Sequence, residues 1–348
     1  MKTVLGTLLL ALLLTVPSTP ILTGDASPGR SHARVSPDST VASPMPLSKP
    51  IRPASGMPVQ EVVGTLPPLP VQPGPTRGSN PKASPPPAAW APVGSPSPRY
   101  GASMAYDPDI GGIVLFGGDN SNTNYFGDTW VYYPSSQSWM EIFPPDSPNP
   151  RAYGAMAYDA TDHLVVLFGG YGDGVLYGDT WGLSFTGSTP EWHNMTPALI
   201  TSTDSPSPRI YSTLSEGPSI GVFLYGGDSY LQRTWIILGD SWNFSVAKGW
   251  VEICEQGSCG PTLPGPLAAS AMAYSVLLSG DVLFGGFDGS GISNATWVFN
   301  STGWWNITDQ LNPSPTGRFF ATLVPEGGFL LLSGGLGPDS DTCFVFSA

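Results

Sequence analysis

The sequence predicts an all-β fold, a β-propeller of five four-stranded blades, and two observations carry that expectation. Apolar residues run into a Gly pair five times, as LFGG ending at Gly118, LFGG at Gly170, LYGG at Gly227, LFGG at Gly286 and LLSGG at Gly335, with spacings of 52, 57, 59 and 49 residues. A period near 50, with four short strands of pattern per unit, is that of a propeller blade. The second observation is compositional. The 348 residues include 43 Gly and 39 Pro, roughly twice average usage, and only 11% are charged, yet 41% are hydrophobic and 11 residues are Trp. That is enough apolar side chain for a sizeable core, and it excludes disorder throughout and a coiled coil.

Along the chain, Met1 and Lys2 precede the apolar run Val4 to Val16, and small residues follow around Gly24 to Ala26, so residues 1–26 read as a secretory signal peptide. Thirteen helical residues span about 20 Å, short of the roughly 30 Å hydrocarbon core, which favours a cleaved signal over an anchor. The mature chain is therefore expected to be secreted, with no stable membrane insertion. Five glycosylation acceptors, at Asn194, Asn243, Asn294, Asn300 and Asn306, are compatible with an extracellular glycoprotein. Residues 27–86 are dominated by Pro, Ser, Gly, Val and Ala, as in PPLPVQPGP from Pro67 to Pro75. Repeated Pro removes backbone donors and fixes φ, which makes this a semi-extended linker.

Residues 87–348 form the propeller. Upstream of the Gly pairs stand PSPRYGASMAY (Pro96 to Tyr106), PNPRAYGAMAY (Pro148 to Tyr158), PSPRIYSTL (Pro206 to Leu214), PGPLAASAMAY (Pro264 to Tyr274) and PSPTGRFFATL (Pro313 to Leu323). Downstream stand GDTW ending at Trp130, GDTW at Trp181, GDSW at Trp242, NATW at Trp297 and SDTC at Cys343, and a further Trp follows at Trp139, Trp192, Trp250 and Trp304 with Trp305. These residues resemble the Kelch repeat in its galactose-oxidase-like propeller form, over about residues 86–348. In blade three Trp235 competes for the third-strand Trp; the Gly239 and Asp240 that precede Trp242 favour Trp242. The fifth unit lacks a fourth strand and a second Trp, while Trp90 in AAWAPV stands 49 residues before Trp139, one repeat away. Ala88 to Val93 is thus expected to supply the outer strand of the last blade and close the ring, removing exposed sheet edges.

Arg99, Arg151 and Arg209, with Arg318 in a shifted form, admit two readings: an inward ring that grips an anion, or scaffold residues paired with a carboxylate or carbonyl. Recurrence in nearly every blade favours the scaffold. The recurring Asp128, Asp179, Asp240 and Asp341 are explained by turn formation. Asp107 with Asp109 and Glu252 with Glu255 read as solvated residues. Galactose oxidase, which the resemblance brings to mind, is a copper enzyme with Tyr, His and crosslinked Cys ligands. Here only His163 and His193 lie in the propeller, on positions that should not converge, so no metal and no cofactor are expected. No Ser-His-Asp or His-Glu-x-x-His arrangement appears, and no catalytic residue is assigned. Of the three Cys, Cys254 and Cys259 enclose EQGS and are expected to form a disulfide, leaving Cys343 as a buried thiol in a third-strand Trp position.

The loops after the Gly pairs vary most and combine aromatic with carboxylate and amide side chains. Asp119, Asn120, Tyr125, Tyr171, Asp173, Tyr230, Arg233, Trp235, Phe287 and Asp288 are the candidate ligand-binding residues, since flat aromatic faces with directional hydrogen bonds suit sugars and peptides. The first 85 residues carry a formal charge of +4 and the remainder −17, a field that repels phosphate backbones and sets nucleic acid aside as a partner. Three functions remain open: a module binding an extracellular protein or glycan, a carbohydrate-active hydrolase, lyase or epimerase with carboxylates at the channel, and a passive cell-envelope or adhesive component. The fold itself does not choose among them.

Overall fold

The computed structural model describes residues 94–120, 124–185, 189–196, 205–217, 221–231, 233–254, 263–311, 314–326, 328–338 and 344–346. The signal peptide, the Pro-rich linker, the closing segment Ala88 to Val93, Cys259, Asp341 and Cys343 all lie outside those residues.

Blade one comprises β1 (Ser103–Asp107), β2 (Gly112–Phe116), β3 (Thr129–Tyr133) and β4 (Ser138–Ile142), an antiparallel sheet in sequence order. In blade two, β5 (Ala155–Asp159), β6 (Leu164–Phe168), β9 (Thr180–Ser184) and β10 (Glu191–Asn194) repeat the arrangement, with the short hairpin β7 (Tyr171–Gly172) and β8 (Val175–Leu176) inserted after the Gly pair. Blade three is β11 (Thr213–Glu216), β12 (Val222–Leu231), β13 (Thr234–Ser245) and β14 (Gly249–Cys254). Blade four is β15 (Ala271–Ser275), β16 (Gly280–Phe284), β17 (Thr296–Asn300) and β18 (Gly303–Asn306). Three strands of blade five are described: β19 (Phe319–Glu326), β20 (Phe329–Leu336) and β21 (Phe344–Phe346). The protein is an all-β, five-bladed propeller, as the sequence period predicts.

The first strands β1, β5, β11, β15 and β19 pack in succession and line the axis. Second strands are sandwiched between neighbouring blades, which is why they read as continuous apolar runs: every residue of β6, LVVLF, is buried. The Gly pairs are required by chain geometry. All ten of these glycines have positive φ, and a Cβ on Gly117 would lie 2.3 Å from the Arg151 carbonyl oxygen of the next blade. The second Gly of the first four pairs then donates across the junction: Gly118 to Arg151, Gly170 to Arg209, Gly227 to Leu267 and Gly286 to Arg318, each N–H to a carbonyl at 2.8–2.9 Å.

Register settles the aromatic positions. Trp130 faces Leu115, Trp181 faces Leu167, Trp242 faces Leu224 and Trp297 faces Leu283, so Trp242, not Trp235, is the third-strand Trp of blade three. In blade five the residue opposite Leu332, the equivalent of Leu115, is Phe344. The third-strand aromatic position expected at Cys343 therefore falls to Phe344. In blades two and three the second Trp stitches the blade to the one before: Trp192 Nε1 donates to Thr129 Oγ1 at 3.1 Å and Trp250 Nε1 to Thr180 Oγ1 at 2.8 Å, whereas Trp304 Nε1 of blade four is buried without a partner.

Four junctions are filled by apolar clusters that join neighbouring blades. At the fifth, between blades five and one, the described residues leave apolar side chains uncovered: Met104 is 48% exposed where its equivalents Met156 and Met272 are 8% and 6%, and Val345 is likewise exposed where Val131 is buried.

Candidate functional site

The Pro-Arg segments enter each blade on the face that carries the loops after the Gly pairs. Arg99 holds Asp128 through two hydrogen bonds at 2.6 and 2.9 Å and donates to the Gly117 carbonyl, and Arg209 holds Asp240 at 2.7 Å twice and donates to Gly226. Arg151 does the same with Asp179 and Gly169. Their Asp partners are thus ion-pair and indole acceptors rather than turn residues, since Trp130, Trp181 and Trp242 each donate Nε1 to them at 2.6–2.7 Å. Burial works against ionisation of Asp128 and Asp179, but the guanidinium and indole donors outweigh it and hold both below the ordinary carboxylate range. In blade four both partners are gone together, with Leu267 in place of the Arg and Ala295 in place of the Asp, and Trp297 Nε1 is left buried without a partner. The arginines are scaffold.

Two residues after each of these positions stands one residue per blade in the left-handed region: Gly101, Tyr153, Tyr211, Ala269 and Phe320, with φ of 60°, 62°, 57°, 54° and 56°. For four non-Gly side chains this conformation costs about 1–3 kcal/mol each and marks a place where strain is held by its surroundings. The surroundings are a run of four backbone hydrogen bonds around the axis, from Gly101 to Phe320. Tyr153 N–H donates to the Gly101 carbonyl at 2.7 Å, Tyr211 to Tyr153 at 3.2 Å, Ala269 to Tyr211 at 2.8 Å and Phe320 to Ala269 at 2.8 Å. This geometry turns three aromatic rings over the axis, Tyr153 against Tyr211 at 5.1 Å and Tyr211 against Phe320 at 5.0 Å between centroids, both edge-to-face. The next residue in each blade is small, Ala102, Gly154, Ser212, Ser270 and Ala321, and together the two rings of residues enclose a cavity of about 270 Å³.

Around the rim stands the residue that follows each Gly pair. Asp119 is buried and accepts the Tyr153 phenol at 2.7 Å. Asp228, its equivalent in blade three, is pushed up to about 6 by burial, and no hydrogen bond offsets that cost. Tyr125 and Tyr171 pack edge-to-face at 5.8 Å on the adjoining loops, and burial, Tyr171, Asp119 and Asp173 push the Tyr125 phenol up to about 12. Tyr211 is likewise raised to about 12 by burial and by the charges of Asp228 and Asp119. Of the sequence candidates, Asp119, Tyr125, Tyr171 and Asp173 therefore meet at this mouth.

Phe287, which follows the Gly pair of blade four, also stands on the rim, and the remaining candidates are occupied elsewhere. Tyr230 and Trp235 face each other across the β12–β13 ribbon, 5.4 Å apart, and Arg233 is the exposed turn residue at its tip. Phe287 bridges Ala268 and Ile292 and packs near Phe319 at 6.2 Å, while Asp288 accepts from Ser290 and from the Gly291 N–H and holds its own loop. Asn120 donates its backbone N–H to Asn124. Asp107, expected to be solvated, is buried and accepts the Asp109 N–H at 2.9 Å. Cys254 ends β14, and the expected bridge to Cys259 falls outside the described residues. Among the described residues no group of three or more His, Cys, Asp or Glu side chains is placed to hold a metal ion.

Sequence reasoning overlooked Tyr153, Tyr211, Phe320, Ser270 and Asp228. The signal was there, as the column two residues after Pro-Arg, but a left-handed Tyr or Phe is not readable from residue type. A scan against protein-family models matches residues 89–280, more than half of the chain, to the KLHDC2/KLHL20/DRC7 Kelch-repeats domain. With five blades, the Gly pairs and the paired Trp positions in place, the chain belongs to the Kelch-repeat family of β-propellers.

Proposed function

We propose that this chain is an exported protein-interaction module, the role that Kelch propellers generally serve, carried on its Pro-rich linker and binding an extracellular protein or glycan at the channel mouth. One observation carries the reading. Four non-Gly residues held left-handed around the axis present three aromatic rings above a cavity, an arrangement that packing within single blades does not require. The amino-terminal signal pattern and the acceptor sites support export, with Asn194 and Asn306 on exposed positions. The test is a glycan and peptide binding screen on the full chain, repeated with Tyr211→Ala. Ligands should be lost with the variant; binding indifferent to Tyr211 would remove the mouth from the account.

A second reading, a carbohydrate-active enzyme, has Asp228 in its favour, a carboxyl near the axis poised to be protonated close to neutral pH. Hydrolysis or elimination of a polysaccharide, abolished by Asp228→Asn, would establish it.

A further inference from the structure

We propose that the axial cavity receives a Lys or Arg side chain presented by a partner polypeptide. The inference rests on the interaction reading above and adds the chemistry of what is bound.

Three features point the same way. The first is the charge inventory. Of the six cationic residues in the propeller, Arg99, Arg151, Arg209 and Arg318 are withdrawn into the scaffold, Lys248 sits on the outer β13–β14 turn and Arg233 at the tip of the β12–β13 ribbon. Asp119 is tied to Tyr153, and beside it the mouth carries Asp173 and Asp228, with neither Arg233 nor Lys248 on the loops that build it. Asp228 in particular has lost water without gaining a donor, and a bound ammonium or guanidinium would supply both the charge and the hydrogen bonds it lacks.

The second is the aromatic wall. Tyr153, Tyr211 and Phe320 lean edge-to-face on one another over the axis. A cation above such rings is attracted by their quadrupoles, more strongly where water is excluded.

The third is independent of charge. Ser270 is 8% exposed, lines the cavity, and its hydroxyl has no hydrogen-bond partner; Ser212 beside it is unpartnered in the same way. Buried hydroxyls are ordinarily satisfied, and two open ones at one cavity floor are acceptors waiting for a donor. An ammonium carries three N–H donors and a guanidinium five, with no acceptor on either, which fits a floor of hydroxyls under a rim of carboxylates. A carboxylate or phosphate ligand would meet the charges of Asp173 and Asp228 at the rim with no cation to offset them. At about 270 Å³ the cavity is large enough for one long side chain and too small for a folded element.

The test uses a random dodecapeptide display library selected on the full chain, followed by affinity measurement of the enriched peptides. Enrichment of Lys or Arg is expected, with a loss of at least tenfold when that residue is replaced by Gln and a loss of similar size in Asp228→Asn, whose melting temperature should not fall. Ser270→Ala should weaken the same peptides more modestly. Enriched peptides without Lys or Arg that still depend on Tyr211 would overturn this inference and leave the interaction reading standing. Peptides that ignore Tyr211, or no enrichment at all, would overturn both.

Discussion

Tyr153 of blade two donates its phenolic hydrogen to Asp119 of blade one at 2.7 Å, so the rim of the channel is tied across a blade junction by a side chain held at positive φ. Burial and the adjacent carboxylate raise the Tyr153 pKa far beyond its ordinary value, which keeps the donor protonated at every physiological pH. Tyr153→Phe keeps the ring and removes the bond. It should cost about 1–1.5 kcal/mol in urea unfolding. No loss of stability would mean the bond does not hold the rim.

The Arg–Asp pairs make a prediction that blade four has already tried out. Arg209 and Asp240 are both buried, so removing either partner alone strands a charge and should destabilise by about 3–5 kcal/mol. Arg209→Leu with Asp240→Ala reproduces the Leu267 and Ala295 found in blade four, leaving one indole N–H unpaired as at Trp297. The double variant should lose well under the sum of the single losses. Thermal and chemical unfolding of the three variants measures this; strict additivity would refute the pairing.

Asp281 governs a pH dependence. It is fully buried on β16, accepts a hydrogen bond from Ser215 of blade three, and is pushed up to about 8, mainly by burial and further by Glu216, with the Ser215 bond opposing. Its folded pKa lies above the unfolded value, so between roughly pH 4 and pH 8 the folded state holds a proton that the unfolded state has released. Stability should therefore fall as pH rises through that window, by at most about 1.4 kcal/mol per pH unit from this group. Asp281→Asn should flatten the slope. A wild-type protein that gains stability from pH 5 to pH 8 while the variant matches it would count against the assignment.

Ring closure has a specific address. Thr129 and Thr180 each accept the indole of the following blade, and Thr296, at the same place in blade four, has a buried Oγ1 without a partner. Trp90 stands one repeat before Trp139, in the segment expected to form the outer strand of blade five. Trp90→Ala should lower the melting temperature by several degrees, consistent with losses of about 3 kcal/mol or more for a buried Trp. Deletion of residues 1–96 should abolish cooperative unfolding or cause aggregation through the uncovered faces around Met104 and Val345. A deletion variant as stable as the full chain would sink the proposal.

Much of the fold was legible because it depends on features that recur by residue type. The Gly pairs announce positive φ and close blade approach, and the paired Trp positions announce the stitching of one blade to the next. The scaffold role of the arginines was legible too, by repetition, although their Asp partners read only as turn formers because a partner 28–31 residues away leaves no local signal. The binding face was half legible. Asp119, Tyr125, Tyr171 and Asp173 stood out as loop residues of the right chemistry, but so did Trp235 and Asp288, which serve their own ribbon and turn. Tyr211, Phe320 and Ser270 were hidden inside the repeat motif, where their importance comes from a run of backbone hydrogen bonds that passes through all five blades. No window of sequence contains that run.

The most direct measurement for the claim that the channel mouth is the interaction surface is hydrogen exchange of the full chain, free and bound to a peptide or glycan selected on it. Added protection is expected to concentrate in the five segments that build the mouth, residues 100–102, 152–154, 210–212, 268–270 and 319–321, with the outer strands β4, β10, β14 and β18 unchanged. Protection confined to those outer strands, with the axial segments exchanging as in the free protein, would contradict it.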